Sequence, residues 1–355
     1  MARFAVITCF ALSVLAPIGV GAGNWPLETG GWQLTPSVPL QRYESVEPHM
    51  GTLVRITVYT SGEDEARRAF RAGFDRIHEL DGILSDYKPD SELNRLTTTA
   101  VRTPIAVSRD LFTVLAASQD LAEQTNGAFD VTMGPVIRLW REARRVNRLP
   151  DDGALVEAAG RSGYRKLHLD RERQTVSLDQ QGMALDVGGN AKGYAASDAL
   201  DAISRLGVAS AMVAVSGDLA FSAAPPGTSG WRISVHDLPA GHVGVPQVLE
   251  LTHAAVSTAG PAEQHLDVHG RRYSHIVDPS TRIGLTEDLT VTVIARTGLV
   301  ADGLDTAISV LGVARGLALI ERRQDAVALM IRRTAARVEV RRSSRFLSVT
   351  TPPLR

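Results

Sequence analysis

The chain has one cysteine in 355 residues, and this residue, Cys9, lies inside an apolar run near the N-terminus. If that run is removed, the mature protein has no cysteine, which excludes disulfides, thiolate metal ligands and a thiol nucleophile. The formal net charge of −1 gives no electrostatic reason to bind nucleic acid, so no nucleic-acid partner is expected. A hydrophobic fraction of 44% and a charged fraction of 22% are typical of a soluble globular protein.

The N-terminus has the order of residues found in export signals. Arg3 precedes the apolar residues 4–20, which are followed by the small residues Gly21, Ala22 and Gly23. This order predicts a Sec-type signal peptide over residues 1–23, with cleavage near Ala22 or Gly23. The run is also long enough to cross a bilayer, so an uncleaved anchor is the alternative. We expect a periplasmic protein with no stable membrane span after cleavage.

The rest of the chain reads as one domain with short extensions. Residues 24–46 are polar and contain several prolines, which predicts a linker or N-terminal arm; residues 47–345 form the domain and residues 346–355 a C-terminal tail. Strands and helices alternate irregularly, which predicts an α+β fold rather than a doubly wound α/β fold. The main predicted helices are 64–84, 108–125, 191–206 and 314–323, with Ser108 as the N-cap of the second and Ser91 as a candidate N-cap of a further short helix. The predicted strands include 52–60, 183–187, 211–215 and 289–295, with a hairpin of 326–331 and 337–340.

The most informative stretch of the domain is Asp302-Gly303-Leu304-Asp305-Thr306-Ala307. At 100° per residue, a helix places Asp302, Asp305 and Thr306 on one face. Two carboxylates and a hydroxyl are hard oxygen donors of the kind that suit Mg²⁺. The alternative is an ordinary helix start whose acidic residues interact favourably with the macrodipole. The opposite face is predicted to be buried and Gly312 to end the helix; that face consists of Val300, Leu304, Ile308 and Leu311.

A second candidate site is the turn Asp186-Val187-Gly188-Gly189-Asn190-Ala191-Lys192, between a predicted strand and a predicted helix. Glycine lets the backbone approach a ligand, and a helix start offers N–H groups to an anion. Lys192 lies in the first turn, where a cation is unfavourable unless an anion is bound, and this favours a phosphate ligand. A plain structural turn is the alternative.

Three further stretches carry residues that could act on a ligand. His275 lies on a predicted strand that ends in Asp278-Pro279, and a structural histidine is the alternative. Phe129 stands beside the carboxylate of Asp130 just after a helix, although a core aromatic is expected there on its own. Tyr87 follows Asp86 in a turn and could offer a ring for stacking, or be an ordinary surface tyrosine.

Taken together, these stretches resemble the ApbE family in their order and spacing. The resemblance covers about residues 47–331 and therefore most of the mature chain. It rests on seven ordered motifs, which are Met50-Gly51-Thr52, Leu84-Ser85-Asp86-Tyr87 with Asp90-Ser91-Glu92-Leu93, Gly127-Ala128-Phe129-Asp130, Asp186 through Tyr194, Ser216-Gly217-Asp218, Tyr273 through Pro279, and Ala301 through Thr306.

The resemblance implies an enzyme that transfers FMN from FAD to a threonine or serine hydroxyl of an acceptor protein and releases AMP. It also implies a T-fold-related, two-lobed architecture, with FAD as substrate, Mg²⁺ as cofactor and an extracytoplasmic redox protein as partner. The implied FAD site consists of Met50, Tyr87, Ala128, Phe129, Asp130, Asp186, Lys192 and Ile276. The implied magnesium ligands are the Gly189 carbonyl with Asp302, Asp305 and Thr306.

The catalytic candidates are His275, which the resemblance places beside the phosphates, and Asp302. Either the histidine or an acidic residue could take the proton of the acceptor hydroxyl. Two other functions are compatible with the same residues: a periplasmic protein that binds or carries FAD without transferring it, and an FAD pyrophosphatase that releases FMN and AMP.

The sequence departs from the family pattern at three places. Ser216 replaces the first glycine of a Gly-Gly-Asp motif, and residues 257–261 replace a commoner Ser/Thr-Ser-Gly run, which puts contacts near the adenine in doubt. The lipid-anchoring cysteine of many relatives is also absent. None of these departures removes an implied metal ligand.

Overall fold

A computed structural model of the chain describes residues 39–350, except 236, 237, 240, 241, 243 and 261–263. The predicted signal peptide and most of the predicted arm lie outside the described residues. The strands are β1 (Gln41–His49), β2 (Thr52–Thr60), β3 (Ile105–Ala106), β4 (Leu167–Asp170), β5 (Thr175–Leu178), β6 (Ser210–Val215), β7 (Asp218–Phe221), β8 (Trp231–Ser234), β9 (Val248–Leu251), β10 (Ala254–Ala259), β11 (His265–Val268), β12 (Arg271–Ser274), β13 (Val277–Asp278), β14 (Ile283–Gly284), β15 (Asp288–Ala295), β16 (Ala326–Arg333) and β17 (Val338–Arg342).

The helices interrupt this strand order at irregular intervals. They are α1 (Glu63–Leu84), α2 (Glu92–Thr99), α3 (Arg109–Gln124), α4 (Gly134–Val146), α5 (Asp152–Gly160), α6 (Ala191–Ser204), α7 (Gly298–Glu321) and α8 (Phe346–Thr350), with one 3₁₀ turn at Tyr164–Lys166. The α+β prediction is confirmed, because helices and an antiparallel sheet follow one another without a βαβ repeat.

The central element is an eight-stranded sheet with the order β1-β2-β6-β7-β10-β15-β16-β17. Every neighbouring pair in it is antiparallel. β3, β5 and β4 form a smaller three-stranded sheet, and three two-stranded pairs, β8-β9, β11-β12 and β13-β14, complete the strand pairing.

Both faces of the central sheet are buried over much of its area. In β16, Ala328 and Met330 pack with α3 and α7 on one face, whereas Val327 and Leu329 pack with β8, β9 and α8 on the other. This follows from the period of two along a strand, which sends successive side chains to opposite faces. The sheet therefore forms a middle layer, and the helices that carry the candidate site cover one side of it.

Local sequence signals account for the starts of several helices. Ser91 accepts a hydrogen bond from the backbone N–H of Asn94, and Ser108 accepts one from Leu111. Side-chain oxygens at these positions satisfy helix N–H groups that would otherwise have no partner. Both caps were expected from the sequence. Gly312 has φ +72° and interrupts α7, which confirms the predicted end of the acidic helix and the separate helix after it.

Three boundaries differ from the sequence-based expectation. The predicted arm extends to residue 46, but Gln41–His49 is the first strand of the central sheet and pairs along its whole length with β2. The predicted tail begins at Phe346, but this side chain is fully buried and starts α8. The predicted strand 183–187 is reduced to one bridge between Ala184 and Met133, because no neighbouring strand extends the ladder.

Helix α7 is the one helix within the described residues that is long and apolar enough to cross a membrane, by length and composition alone. Half of its apolar window is buried inside the protein, and the break at Gly312 divides it. It also carries the buried carboxylates Asp302 and Asp305. These features identify α7 as a core helix.

Helices α6 and α7 approach each other without an intervening side chain. A Cβ atom on Gly193 would overlap the backbone carbonyl of Gly298 and lie 2.7 Å from the Cβ of Asp302, and a Cβ on Gly298 would meet the backbone of Gly193 in the same way. The N–H of Gly298 donates to Ser197 Oγ across the same crossing, at 2.7 Å. Glycine at both positions therefore sets the distance between the two helices.

We predict that Gly193→Ala lowers the free energy of unfolding by about 1–3 kcal/mol, because the added methyl group forces the helices apart. Urea denaturation monitored by circular dichroism measures the change. Gly82→Ala is the matched control, since a Cβ there meets no atom within 4 Å; in the interior of α1 it should stabilise the protein by about 0.5–1 kcal/mol. Equal stability of Gly193→Ala and the wild type would contradict the close packing of α6 and α7.

Candidate functional site

The candidate site lies where the start of α6 meets the first half of α7. Asn190, the residue before α6, makes no side-chain cap. Instead, Asp302 on α7 accepts a hydrogen bond from the N–H of Gly193, at 2.9 Å. This carboxylate therefore acts as the N-cap of a neighbouring helix, a position in which the macrodipole stabilises its negative charge.

The free N–H groups expected at the start of α6 are largely used within the protein. The N–H of Ala191 donates to the carbonyl of Val187 at 2.9 Å, and that of Gly193 donates to Asp302. Lys192 is paired as well, because its Nζ lies 3.1 Å from Oδ2 of Asp218. Asp218 supplies negative charge that the sequence argument assigned to a phosphate, and phosphate binding at Lys192 stays a prediction.

A hydroxyl links two carboxylates at the centre of the site. Ser257 Oγ, on β10, is within hydrogen-bond distance of Asp305 Oδ2 at 2.6 Å and also of Asp218 Oδ1. Ser257, Asp218 and Asp305 are each 2% exposed. This cluster brings together α6, β7, β10 and α7, elements that are far apart in sequence.

Three carboxylates are crowded together in this cluster. Asp218, Asp302 and Asp305 are buried, and the charge of each raises the pKa of the Lys192 ammonium. Burial, followed by the charges of Asp302 and Asp218, raises the pKa of Asp305 well above its usual range. Burial lowers the pKa of Lys192, but the three carboxylates outweigh it, so that the net shift is upward. The site therefore favours an additional positive charge.

The implied metal ligands lie close together. Thr306 Oγ1 lies 3.3 Å from Asp305 Oδ1, and a Cβ on Gly189 would lie 3.3 Å from the same hydroxyl oxygen. Within the described residues, no group of three or more His, Cys, Asp or Glu side chains is arranged to hold a metal. The implied set differs from such a group, since it combines two carboxylates with a hydroxyl and a backbone carbonyl. These hard oxygen donors and the excess negative charge fit a divalent cation.

Arg141 connects two of the residues implied in FAD binding, and sequence analysis missed it. Its guanidinium pairs with Asp86 and, at 2.6 Å, with Asp186, and it lies 4.3 Å from the centre of the Tyr87 ring. Tyr87 itself is 73% exposed, which leaves the ring accessible for stacking. Arg141 is on α4, a helix absent from the sequence-based assignment although Pro135 near its start and Asn147 at its C-cap are helix-boundary signals.

Two of the implied FAD residues have roles within the protein itself. Phe129 is 4% exposed and belongs to the core, with its ring edge 3.2 Å from the position of a Cβ on Gly189. Asp130 accepts hydrogen bonds from the backbone N–H groups of Thr132 and Tyr164, at 2.8 and 2.9 Å. Burial raises the pKa of Asp130. These residues therefore support the turns on either side of the site.

The remaining implied FAD residues are held by backbone geometry. Met50 and Gly51 form the two-residue turn between β1 and β2, both with positive φ, as the twist of a hairpin favours. Ala128 follows in the turn after α3, where its N–H donates to the Thr125 carbonyl. Ile276 is buried beside His275, with its N–H donating to Ser274 Oγ at 3.1 Å.

His275 is held in one orientation by the backbone of Gln264. Its Nδ1 lies 3.2 Å from the Gln264 carbonyl oxygen, so Nδ1–H donates and Nε2 is the unprotonated nitrogen of the neutral ring. Burial, followed by the positive charges of Lys192 and Arg144, lowers the pKa of His275 to about 4, against the effect of the Gln264 hydrogen bond. The histidine is therefore neutral at pH 7 and lies within the electrostatic reach of Lys192.

The structure thus brings the implied residues together in two groups. The first contains the metal ligands with Lys192, and the second contains Tyr87 and Asp186, joined by Arg141. Gly189 links them, since it follows Asp186 and Gly188 in the same turn, where Gly188 N–H donates to Asp186 Oδ1 at 2.9 Å. Sequence reasoning did not assign roles to Asp218 and Ser257, whose partners are distant along the chain.

Known proteins resemble this chain over most of its length. The model of the ApbE family matches residues 50–331. The chain belongs to the ApbE family. The FAD:protein FMN transferase of Treponema pallidum is 31% identical over 309 residues, covering 82% of this chain and 85% of that protein. The one from Haemophilus influenzae is 31% identical over 263 residues, 72% of this chain and 76% of that one.

Solved ApbE structures share the fold. The flavin transferase ApbE from Vibrio cholerae superposes with a TM-score of 0.79 at 29% identity, covering 88% of this chain and all of that one. The apo form of the Pseudomonas stutzeri flavinyl transferase ApbE gives a TM-score of 0.76 at 28% identity, covering 89% of this chain and 99% of that one.

The structure describes two of the places where the sequence departs from the ApbE pattern. Ser216 has φ +58°, a left-handed conformation that glycine adopts without strain and other residues adopt less readily. The turn before Asp218 therefore keeps a glycine-like backbone. In the altered run 257–261, Ser257 is a central contact of the carboxylate cluster; the doubt raised about adenine contacts stays a prediction.

We predict that Lys192→Met lowers the free energy of unfolding by roughly 2–3 kcal/mol, because Asp218 loses its ammonium partner; partial exposure of Lys192 keeps the loss below that of a fully buried pair. Urea denaturation measures it. Lys192→Met combined with Asp218→Asn should recover part of the loss. Arg67→Met, which breaks the exposed Arg67–Glu63 pair, is the control and should leave the free energy of unfolding close to that of the wild type. An undiminished stability of Lys192→Met would show that the Asp218 pair does not matter for folding.

We predict a pH dependence of stability that His275 contributes to. Between pH about 4 and pH 6.5 the unfolded chain binds a proton at this residue and the folded chain does not, so the free energy of unfolding rises with pH. In His275→Gln the curve over this range should be flatter, as measured by urea denaturation at several pH values. His168→Gln, at an exposed histidine, serves as the control. Identical slopes for His275→Gln and the wild type would contradict the burial of this imidazole.

Proposed function

We propose that this chain is an Mg²⁺-dependent FAD:protein FMN transferase that attaches FMN to a threonine or serine hydroxyl of an acceptor protein. The observation that carries the proposal is the cluster at the start of α7. There Thr306 meets the Gly189 turn, Asp305 lies next to Thr306, and Asp302 contacts the Gly193 N–H, with both carboxylates buried. Membership of a family whose named relatives are FAD:protein FMN transferases supports it.

The proposed reaction replaces a phosphoanhydride bond of FAD with a phosphate ester to the acceptor. The acceptor hydroxyl oxygen attacks the phosphorus on the FMN side of the FAD diphosphate, and a new P–O bond to the acceptor forms. The bond from that phosphorus to the bridging oxygen breaks, and AMP leaves with this oxygen. Such a transfer needs the reacting groups in line and the developing charge stabilised. A divalent cation at the oxygen cluster would supply that stabilisation as a Lewis acid when bound.

In this proposal, residues of the protein bind FAD, accept the proton of the acceptor hydroxyl and hold the cation. Lys192 and the Gly188-Gly189 turn position the diphosphate, while Tyr87 stacks on a ring of FAD and Asp186 holds Arg141 beside that tyrosine. His275 accepts the proton of the acceptor hydroxyl at Nε2, because Nδ1 is engaged by Gln264. The anionic diphosphate would raise the pKa of His275 from its low value and make it a better base. Asp302 acts as a ligand in the proposal, since Gly193 fixes one of its oxygens.

We extend the proposal to where the enzyme acts. The signal peptide predicted at residues 1–23 would deliver the protein to the periplasm, and the acceptor would then be an extracytoplasmic redox protein. Neither FAD storage nor FAD hydrolysis requires such an acceptor, so the products distinguish the three functions.

The decisive experiment mixes the mature protein with FAD, Mg²⁺ and a candidate acceptor. We expect a fluorescent acceptor band on a denaturing gel and release of one AMP per flavin attached, measured by chromatography. Free FMN with AMP and no labelled acceptor would indicate a pyrophosphatase. Bound but unchanged FAD would indicate a binding protein.

Variants test the role of the cluster in this reaction. Asp305→Ala or EDTA should abolish labelling, because the cation site loses a ligand or its ion. His275→Gln should reduce labelling while FAD binding, measured by flavin fluorescence, is retained. Asp288→Ala, at an exposed aspartate of β15, is the control and should label as the wild type does. Full activity of Asp305→Ala would refute the proposed metal site.

A further inference from the structure

Four side chains form a continuous hydrogen-bond network through the site. Lys192 Nζ on α6 contacts Asp218 on β7, Asp218 contacts Ser257 Oγ on β10, and Ser257 Oγ contacts Asp305 on α7. Asp218, Ser257 and Asp305 are buried, so water does not compete strongly for these contacts. These contacts connect Lys192, which is implied in FAD binding, to Asp305, which is implied in metal binding.

The central sheet fixes the position of Ser257 within this network. Its strand pairs on one side with β7, through Val256 and Leu219, and on the other with β15, where Ser257 is opposite Val293. Its hydroxyl therefore projects from the middle of the sheet, while Asp305 projects from a helix packed on that sheet. A rigid strand can hold a helical side chain in one rotamer more precisely than a loop could.

The hydroxyl carries one proton and reaches two carboxylates. Lys192 engages Oδ2 of Asp218, whereas Ser257 Oγ lies 2.5 Å from Oδ1 of Asp218 and 2.6 Å from Oδ2 of Asp305. The other oxygen of Asp305, Oδ1, lies 3.3 Å from Thr306 Oγ1, the hydroxyl implied as a metal ligand. The two oxygens of Asp305 are thus differentiated, one held by the sheet and one directed to Thr306.

We propose that Ser257 is a positioning residue that holds Asp305 through Oδ2 and thereby presents Oδ1, together with Thr306, to the divalent cation. Lys192 and Asp218 complete the arrangement, because the ammonium fixes Asp218 through Oδ2 and Asp218 in turn fixes the serine hydroxyl through Oδ1. This inference rests on the proposed function, since it concerns the same cation site. It adds a residue outside the implied ligand set, within the run 257–261 where the sequence departs from the family pattern.

The test measures Mg²⁺ binding directly. Isothermal titration calorimetry of the protein with FAD bound should show Ser257→Ala weakened about 10- to 100-fold in Mg²⁺ affinity, the usual cost of losing a hydrogen bond to a metal ligand. FAD affinity measured in EDTA should be unchanged. In the labelling assay, Ser257→Ala should need more Mg²⁺ for half-maximal rate and approach the wild-type rate at saturating Mg²⁺.

Three further variants separate positioning from packing. Thr258→Val, at the next residue of β10, removes a hydroxyl that contacts Thr292 at 3.1 Å and should leave Mg²⁺ affinity unchanged. Ser257→Thr keeps the hydroxyl and should retain near-normal affinity. If Ser257→Ala does not fold, Ser257→Cys serves instead, because a thiol fills the space but donates only weakly; it should show the same loss.

The outcomes are distinguishable from failure of the proposed function. Wild-type Mg²⁺ affinity in Ser257→Ala or Ser257→Cys overturns the positioning role and leaves the transferase proposal intact. Absence of Mg²⁺ binding in the wild type with FAD overturns both. Equal weakening in Thr258→Val and Ser257→Ala would also overturn the inference, since the effect would then not depend on the hydroxyl at position 257.

Discussion

The site depends on the contact between Gly193 and Gly298, where α6 and α7 meet backbone to backbone. Because no side chain separates the helices, Asp302 comes within 2.9 Å of the Gly193 N–H and caps α6 from the neighbouring helix. The same closeness brings Asp305 and Thr306 towards the turn that contains Gly189. A larger residue at the crossing would displace all of these groups together. The geometry of the site therefore depends on the close packing of the two helices.

That packing concentrates negative charge where solvent is excluded. Asp218, Asp302 and Asp305 are 2–4% exposed, and Lys192 offsets part of their charge. Burying several carboxylates beside one another is unfavourable for a folded protein because their charges repel, and such arrangements are concentrated at functional sites. The cluster therefore supports the proposed cation site better than a purely stabilising role.

The sequence was informative wherever the determinant was local. Ser91 and Ser108 were expected to cap helices, and Gly312 to end one, because each signal lies within a few residues of its effect. β1 was missed because its residues read as a polar arm, and only pairing with β2 makes them a strand. Arg141, Asp218 and Ser257 were missed for a similar reason: their partners lie tens of residues away, so no periodicity or turn signal records these contacts.

The pairing of Lys192 with Asp218 clarifies the electrostatics of the site. A cation in the first turn of α6 does require nearby negative charge, and the sequence argument assigned that charge to a phosphate ligand. In the structure Asp218 provides it, with Asp302 and Asp305 adding to the field. A diphosphate approaching this turn therefore meets three carboxylates as well as the ammonium. Its charge and theirs would repel each other unless a cation lies between them, so the pairing of Lys192 with Asp218 strengthens the argument for a divalent metal in place of a purely lysine-based phosphate site.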